Sequence, residues 1–176
     1  MRSARPLAVF LLVTLVLSAA GWSGAPGART WAAAVCTTLS PWRTEIGALT
    51  SRTQQQMIAA TSPGQAKENL MRLFAGARDA SERARAGVAH AGVPDVDGGA
   101  KIADGFTGSL AAMRDAYGRA RAGIEGLATT PAKTFYEQVS EVVEKLNADY
   151  VASSLDTSKL NSVELKAAFD EVPECR

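Results

Sequence analysis

Apolar residues recur along this chain at steps of three and four, the spacing that places side chains on one face of an α-helix. The first such stripe is Val35, Leu39, Trp42, Ile46, Leu49, Thr53, Met57 and Ala60. Pro41 interrupts it and leaves two readings. Either Ser40 is an N-cap with Pro41 at the first helical position, or the helix starts near Trp31 and kinks where proline removes a backbone donor. The second stripe, Leu70, Leu73, Phe74, Ala77, Ser81, Ala84, Val88 and Ala91, has a marked entry in Ser62-Pro63-Gly64-Gln65. There serine and glutamine stand three apart, as a capping box requires, and proline takes the first position. Glu68, Arg72, Asp79, Arg83 and His90 fall on the far side of this helix, so His90 is expected to face water.

The third stripe is Ile102, Phe106, Leu110, Met113, Tyr117, Ala120, Ile124 and Leu127, a heptad-like seam. Gly105, Ala112, Ala116 and Gly123 run along one edge of it, small enough for a neighbouring helix to approach closely. A fourth helix opens at Thr130 as N-cap with Pro131 first, and carries Phe135, Val139, Val142, Val143, Leu146 and Tyr150. Ser153 to Ser158 reads as a break. Asn161-Ser162-Val163-Glu164 then offers an N-cap with an acid at the third position, starting a short helix through Phe169 that Val172-Pro173 stops.

Between the second and third helices lies His90-Ala91-Gly92-Val93-Pro94-Asp95-Val96-Asp97-Gly98-Gly99, a helix-reversing turn. Gly92 ends the second helix, Pro94 prevents its continuation, and Asp95 or Asp97 is read as the cap of the third. No period-two alternation appears after residue 20, so no sheet is expected. The pattern predicts an all-α fold: an antiparallel bundle of four main helices, with the short C-terminal helix folded over one end.

Residues 1–20 read as a secretory signal, with Arg2 and Arg5 before the apolar run from Leu7 to Leu17 and a small-residue cleavage site at Ser18-Ala19-Ala20. The alternative is an uncleaved membrane anchor over residues 7–22, with Trp22 at the interface, although a spanning helix needs about 20 apolar residues. Cys36 lies far beyond the apolar run and follows Val35, unlike a lipoprotein cysteine, and no twin-arginine pair is present. Residues 21–30, rich in Gly, Ser and Pro, read as a flexible lead-in, and residues 31–176 as one helical domain.

Composition changes this picture modestly. Hydrophobic residues make up 47% and aromatics 6%, so the core must be built mainly from Ala, Leu, Val and Ile. Without Arg2 and Arg5 the chain has 17 basic and 18 acidic residues, leaving no basic excess to hold a phosphate backbone; nucleic acid is not an expected partner. Charge is distributed unevenly: residues 21–90 carry 8 Lys or Arg against 4 Asp or Glu, and residues 129–176 carry 5 against 9. In an antiparallel bundle the basic first half and the acidic last quarter are expected to face each other.

Two cysteines, Cys36 and Cys175, follow the targeting segment. An exported chain with an even count favours a Cys36–Cys175 disulfide, the alternatives being two free thiols or an intermolecular bridge.

Other chemistry finds little support. His90 is the one histidine, with no nucleophile placed beside it by the pattern. Glu-x-x-His pairs of the di-iron type do not occur, and Cys36, His90 and Cys175 lack zinc spacing. Asp95-Val96-Asp97-Gly98 invites a calcium-loop reading, but with Gly98 at the sixth position the first ligand is Val93 and the last is Asp104 rather than glutamate. Glu137, Glu141 and Glu144 read as a solvated face. No catalytic, cofactor-binding or metal-binding residue is assigned, and no cofactor is expected.

Val35-Cys36-Thr37 followed by Trp42, Ala91-Gly92-Val93-Pro94-Asp95-Val96 with Gly98, and Phe169 with Pro173-Glu174-Cys175 resemble a group of small secreted or lipid-anchored actinobacterial helical proteins of unassigned function. The resemblance implies an exported helical protein and brings no site residues with it. This chain departs from the lipid-anchored members in lacking the lipobox cysteine. The expected role is non-enzymatic binding of another protein in the cell envelope or outside the cell. The alternative is carriage of a small apolar ligand in a bundle cavity.

Overall fold

A computed structural model describes residues 24–58, 60–153 and 161–176, so the signal-or-anchor reading of residues 1–20, Trp22 and most of the break after Ser153 lie outside the described residues. Among these residues five α-helices follow in order: α1 Ala28–Gln56, α2 Pro63–His90, α3 Gly99–Glu125, α4 Ala132–Ser153 and α5 Val163–Glu171, with a 3-10 turn over Pro173–Cys175. No strand occurs among the described residues. The all-α fold with a short C-terminal helix is therefore as the pattern predicts.

The register of neighbours confirms antiparallel packing. Along α1 and α2, Thr38 lies beside Gly87, Trp42 Nε1 donates to Ser81 Oγ at 3.2 Å, and Leu49 lies beside Gly76, one number falling as the other rises. Between α3 and α4, Ser109 Oγ donates to the Ser153 carbonyl and Arg119 pairs with Asp149 at 2.8 Å. The helices pack mainly in sequence, α1 on α2, α2 on α3 and α3 on α4, while α4 barely reaches α2 and makes no substantial contact with α1. The α5 helix and the 3-10 turn sit on α1.

Local signals explain most helix ends. Ser62 Oγ accepts from the Gln65 amide at 3.3 Å and Gln65 Oε1 accepts from the Ser62 amide at 3.2 Å, the reciprocal capping box expected of that sequence. At α5 the cap is Ser162, whose Oγ accepts from Leu165 N at 3.1 Å, one residue later than the Asn161 reading. The helix runs past Phe169 to Glu171 because Ala168 and Val172 are still buried against the core. Pro131 does not open α4: it follows a cis Thr130–Pro131 bond, and its carbonyl accepts from Phe135 N at 3.1 Å as the helix begins at Ala132.

Two starts differ more. The α1 helix begins at Ala28, within the expected lead-in, and runs without a break through Pro41, so Ser40 is not its cap. Burial supplies the reason. Ala28, Trp31, Ala32 and Val35 are all enclosed, and a helix starting later would leave Ala28 and Trp31 off the core. The second correction concerns Asp95 and Asp97, which are exposed and cap nothing; the N-cap of α3 is Gly98, at φ 70° and ψ 15° with no side-chain bond. That left-handed backbone costs an L-residue roughly 1–2 kcal/mol, which glycine avoids. Gly92, at φ 76°, does end α2 as expected, and Pro94 is fully buried beneath the turn.

The turn is held from outside. Trp31 Nε1 donates to the Gly92 carbonyl at 2.8 Å, and Asp95 N donates to the Pro26 carbonyl at 2.8 Å. Gly99 is enclosed so tightly that a Cβ would lie 2.1 Å from the Pro94 carbonyl oxygen. Gly99→Ala is therefore expected to lower stability by about 1–3 kcal/mol, as overpacking does. Gly108→Ala, where the added methyl meets nothing within 4 Å, should instead raise it by up to about 1 kcal/mol through helix propensity. Thermal unfolding of the two single variants checks both signs.

The core has two centres. At the turn end Trp31 meets Phe106 edge-on at 5.2 Å and Phe169 at 6.2 Å, with Phe106 and Phe169 stacked at 5.8 Å, joining α1, α3 and α5. Leu110, Leu165, Val88 and Val172 close around them. At the other end Leu70, Phe74, Tyr117 and Ile124 pack together, flanked by Val139, Val142 and Leu146 of α4.

Candidate interaction surface

The stripes of α2 and α3 are buried or half-buried throughout, but α4 buries only one edge of its stripe. Phe135 is fully enclosed, and Val139, Val142 and Leu146 are half-buried against the second core centre. Val143 and Tyr150, counted in the same stripe, remain 42% and 44% exposed, and Tyr136 beside them is 40% exposed. The cause lies in the arrangement of helices. An edge of α4 that a fully closed bundle covers with α1 has no such neighbour here, because α1 packs on α2.

Several contacts set the rotation of α4. Val142 rests against Gly123, where a Cβ would come within 3.1 Å of its Cγ2. Asp149 is drawn to Arg119, and Tyr136 Oη donates to the Thr61 carbonyl at 3.2 Å. Tyr150 stands close to Tyr117 of α3, whose phenol is pushed above its ordinary pKa first by burial and then by Tyr150. Of the small residues along α3, Ala116 and Gly123 meet α4 as expected, whereas Gly105 and Ala112 are exposed. The groove left there, about 160 Å³, is lined by Ala116, Ala120, Gly123, Val142 and Leu146 with Arg119, Lys145 and Asp149 at its edge.

The exposed residues form a line. Tyr136, Ser140, Val143, Asn147 and Tyr150 are spaced by four and three, carry no charge and are all exposed. Sequence reading passed over Tyr136, although the sevenfold step from Tyr136 to Val143 to Tyr150 was the signal that could have found it. Beside the line stand Glu137 and Glu144, with Glu141 further round the helix; all three are exposed, and Lys133 lies 3.8 Å from Glu137.

Among the described residues the expected facing of basic and acidic regions is realised at one place, where Arg29 of α1 pairs with Glu171 of α5. Arg83 pairs instead with Glu45 at 2.7 Å, within the basic half, and the α4 glutamates have no basic helix opposite them because α1 is not their neighbour.

Glu82 lies between Arg85 at 2.6 Å and Arg114 at 2.8 Å, and Arg114 also holds Asp115 at 2.8 Å. Hydrogen bonds from Arg85 and then Arg114 bring the Glu82 pKa down from 4.5 to about 2. A depressed folded-state pKa contributes stability that is complete above the unfolded value and is lost as pH falls through the folded one. Glu82→Gln should therefore flatten the stability loss between pH 4.5 and 2. Superimposable acid-unfolding curves for variant and wild type would remove Glu82 from that account.

The disulfide joins Cys36 of α1 to Cys175 of the 3-10 turn, with Cα atoms 5.0 Å apart and a separation of 139 positions in sequence. Gly92, Pro94, Asp95, Asp97 and Gly98 come together at the same end as Trp31, in a turn whose contacts are structural. His90 is exposed at the end of α2. Among the described residues no three His, Cys, Asp or Glu side chains gather as a metal site would need. Nor is any helix among them long and apolar enough to cross a membrane.

No protein-family model, curated protein or solved structure matches the chain.

Proposed function

We propose that this is an exported, non-enzymatic protein that binds another protein through the exposed edge of α4. The observation that carries the reading is the solvent exposure of Tyr136, Val143 and Tyr150 on one line of a helix, while α2 and α3 cover their stripes. Tyrosines flanking an aliphatic centre are residues that protein interfaces favour. Export is supported by the basic and apolar pattern of residues 1–20 and by a disulfide consistent with an oxidising compartment.

A carrier of small apolar ligands is the weaker reading. The groove between α3 and α4 has about 160 Å³, whereas pockets for drug-sized ligands run from about 300 to 1,000 Å³.

Affinity capture with tagged wild type and Val143→Asp, from envelope and culture supernatant of the host, tests the proposal. A protein retained by wild type and lost with the variant, at an unchanged thermal midpoint, is the expected result. Equal retention by both would move binding off α4.

A further inference from the structure

Resting on that reading, we infer that the occupant of the α4 edge is an amphipathic helix of another protein with Lys or Arg flanking its apolar seam. Tyr136, Ser140, Val143, Asn147 and Tyr150 repeat every three and four residues along one α-helix, a seam of about 21 Å at 1.5 Å per residue. Such a seam is what a second helix meets along its whole length, with knobs entering between its residues. Ser140 and Asn147 interrupt the apolar surface at regular intervals, where a polar partner residue fixes register.

Charge selects among helices. Glu137 and Glu144 each follow a ridge residue by one position, so they border the seam on its open edge, while Val139 and Leu146 hold the other edge against the core. An incoming helix passes next to these carboxylates, and only basic flanks match them. A second copy of this chain does not supply such flanks: its ridge brings the same glutamates, and Lys133 already lies 3.8 Å from Glu137. Antiparallel pairing about Val143, which places Tyr136 opposite Tyr150, also sets Glu144 beside its own counterpart, and like charges there are destabilising. An anionic lipid surface is repelled by the same residues.

The test places a photo-crosslinking benzoyl-phenylalanine at position 143 of the full chain, expressed in its host and irradiated in cells. The linked peptide is then sequenced by mass spectrometry. The expected adduct is a segment with apolar residues at helical spacing flanked by Lys or Arg. Its yield should fall roughly fivefold when Glu137→Lys and Glu144→Lys are combined, and should persist with Glu141→Lys, at unchanged thermal midpoints. A crosslink to a second copy, to lipid, or to an acidic or non-helical segment overturns the inference, as does a yield indifferent to Glu137 and Glu144. Protein adducts formed from a probe at Ala112 of α3 but not from position 143 overturn it and move protein binding off α4, while leaving the chain a protein-binding one. Adducts from neither position sink both.

Discussion

Replacing Cys36 and Cys175 together by serine is expected to lower the free energy of unfolding by about 5 kcal/mol, from the chain entropy of a closed loop of this length. A separation of 139 positions between the cysteines makes this nearly the whole chain from α1 onward. The loss is comparable with the entire stability of many domains, roughly 5–15 kcal/mol. Its effect should concentrate on α5, a helix of 9 residues, far shorter than the ~12–15 that an isolated helix needs to be even marginal. That helix exists because Leu165, Ala168 and Val172 are pressed into the core beside Trp31, and the disulfide keeps them there. Urea denaturation of wild type and the double variant measures the difference. A shift below about 1 kcal/mol would mean that packing alone holds α5, with the bond adding little.

Trp31→Ala should be nearly as damaging. Truncating a buried tryptophan costs about 3–5 kcal/mol, and the Gly92 carbonyl loses a donor, roughly 1 kcal/mol more. Trp31 has no exposed surface; it meets Phe106 on α3 and Phe169 on α5 and bonds the turn between α2 and α3. One side chain thus ties four parts of the fold. Trp31→Phe separates the contributions, because it keeps most of the ring contact and removes only the hydrogen bond. It should cost well under half as much while speeding hydrogen exchange at the Asp95 amide, which is held by Pro26 nearby. Slow exchange in Trp31→Phe equal to wild type would show that the turn holds its position without the indole.

Much of the fold was legible because its signals are local. The stripes on α2 and α3 follow from the 3.6-residue period, which determines a shared face whatever lies opposite. The Ser62 cap needs only Gln65, and Gly92 needs only a left-handed backbone. The cysteine pairing followed from parity and the expectation of export rather than from distance. Where the reading failed, a distant residue had intervened. Asp95 was a reasonable cap by composition, but its amide is committed to Pro26 and the turn is drawn onto Trp31, so the chain enters α3 through Gly98.

The candidate surface was the least legible part. Val143 and Tyr150 belong to the same stripe as Val142 and Leu146, and periodicity treats them alike. Whether such a residue is covered depends on how many neighbours its helix has, and pattern along one helix carries no information on that. The sequence therefore settled that these helices form, which face of each is apolar, and which cysteine pairing to expect, because these follow from spacing, capping and cysteine parity. Only the packed structure decided that α1 lies on α2 and away from α4. That choice leaves the line from Tyr136 to Tyr150 open, since burial is a property of the neighbours a helix receives and not of its own order of residues.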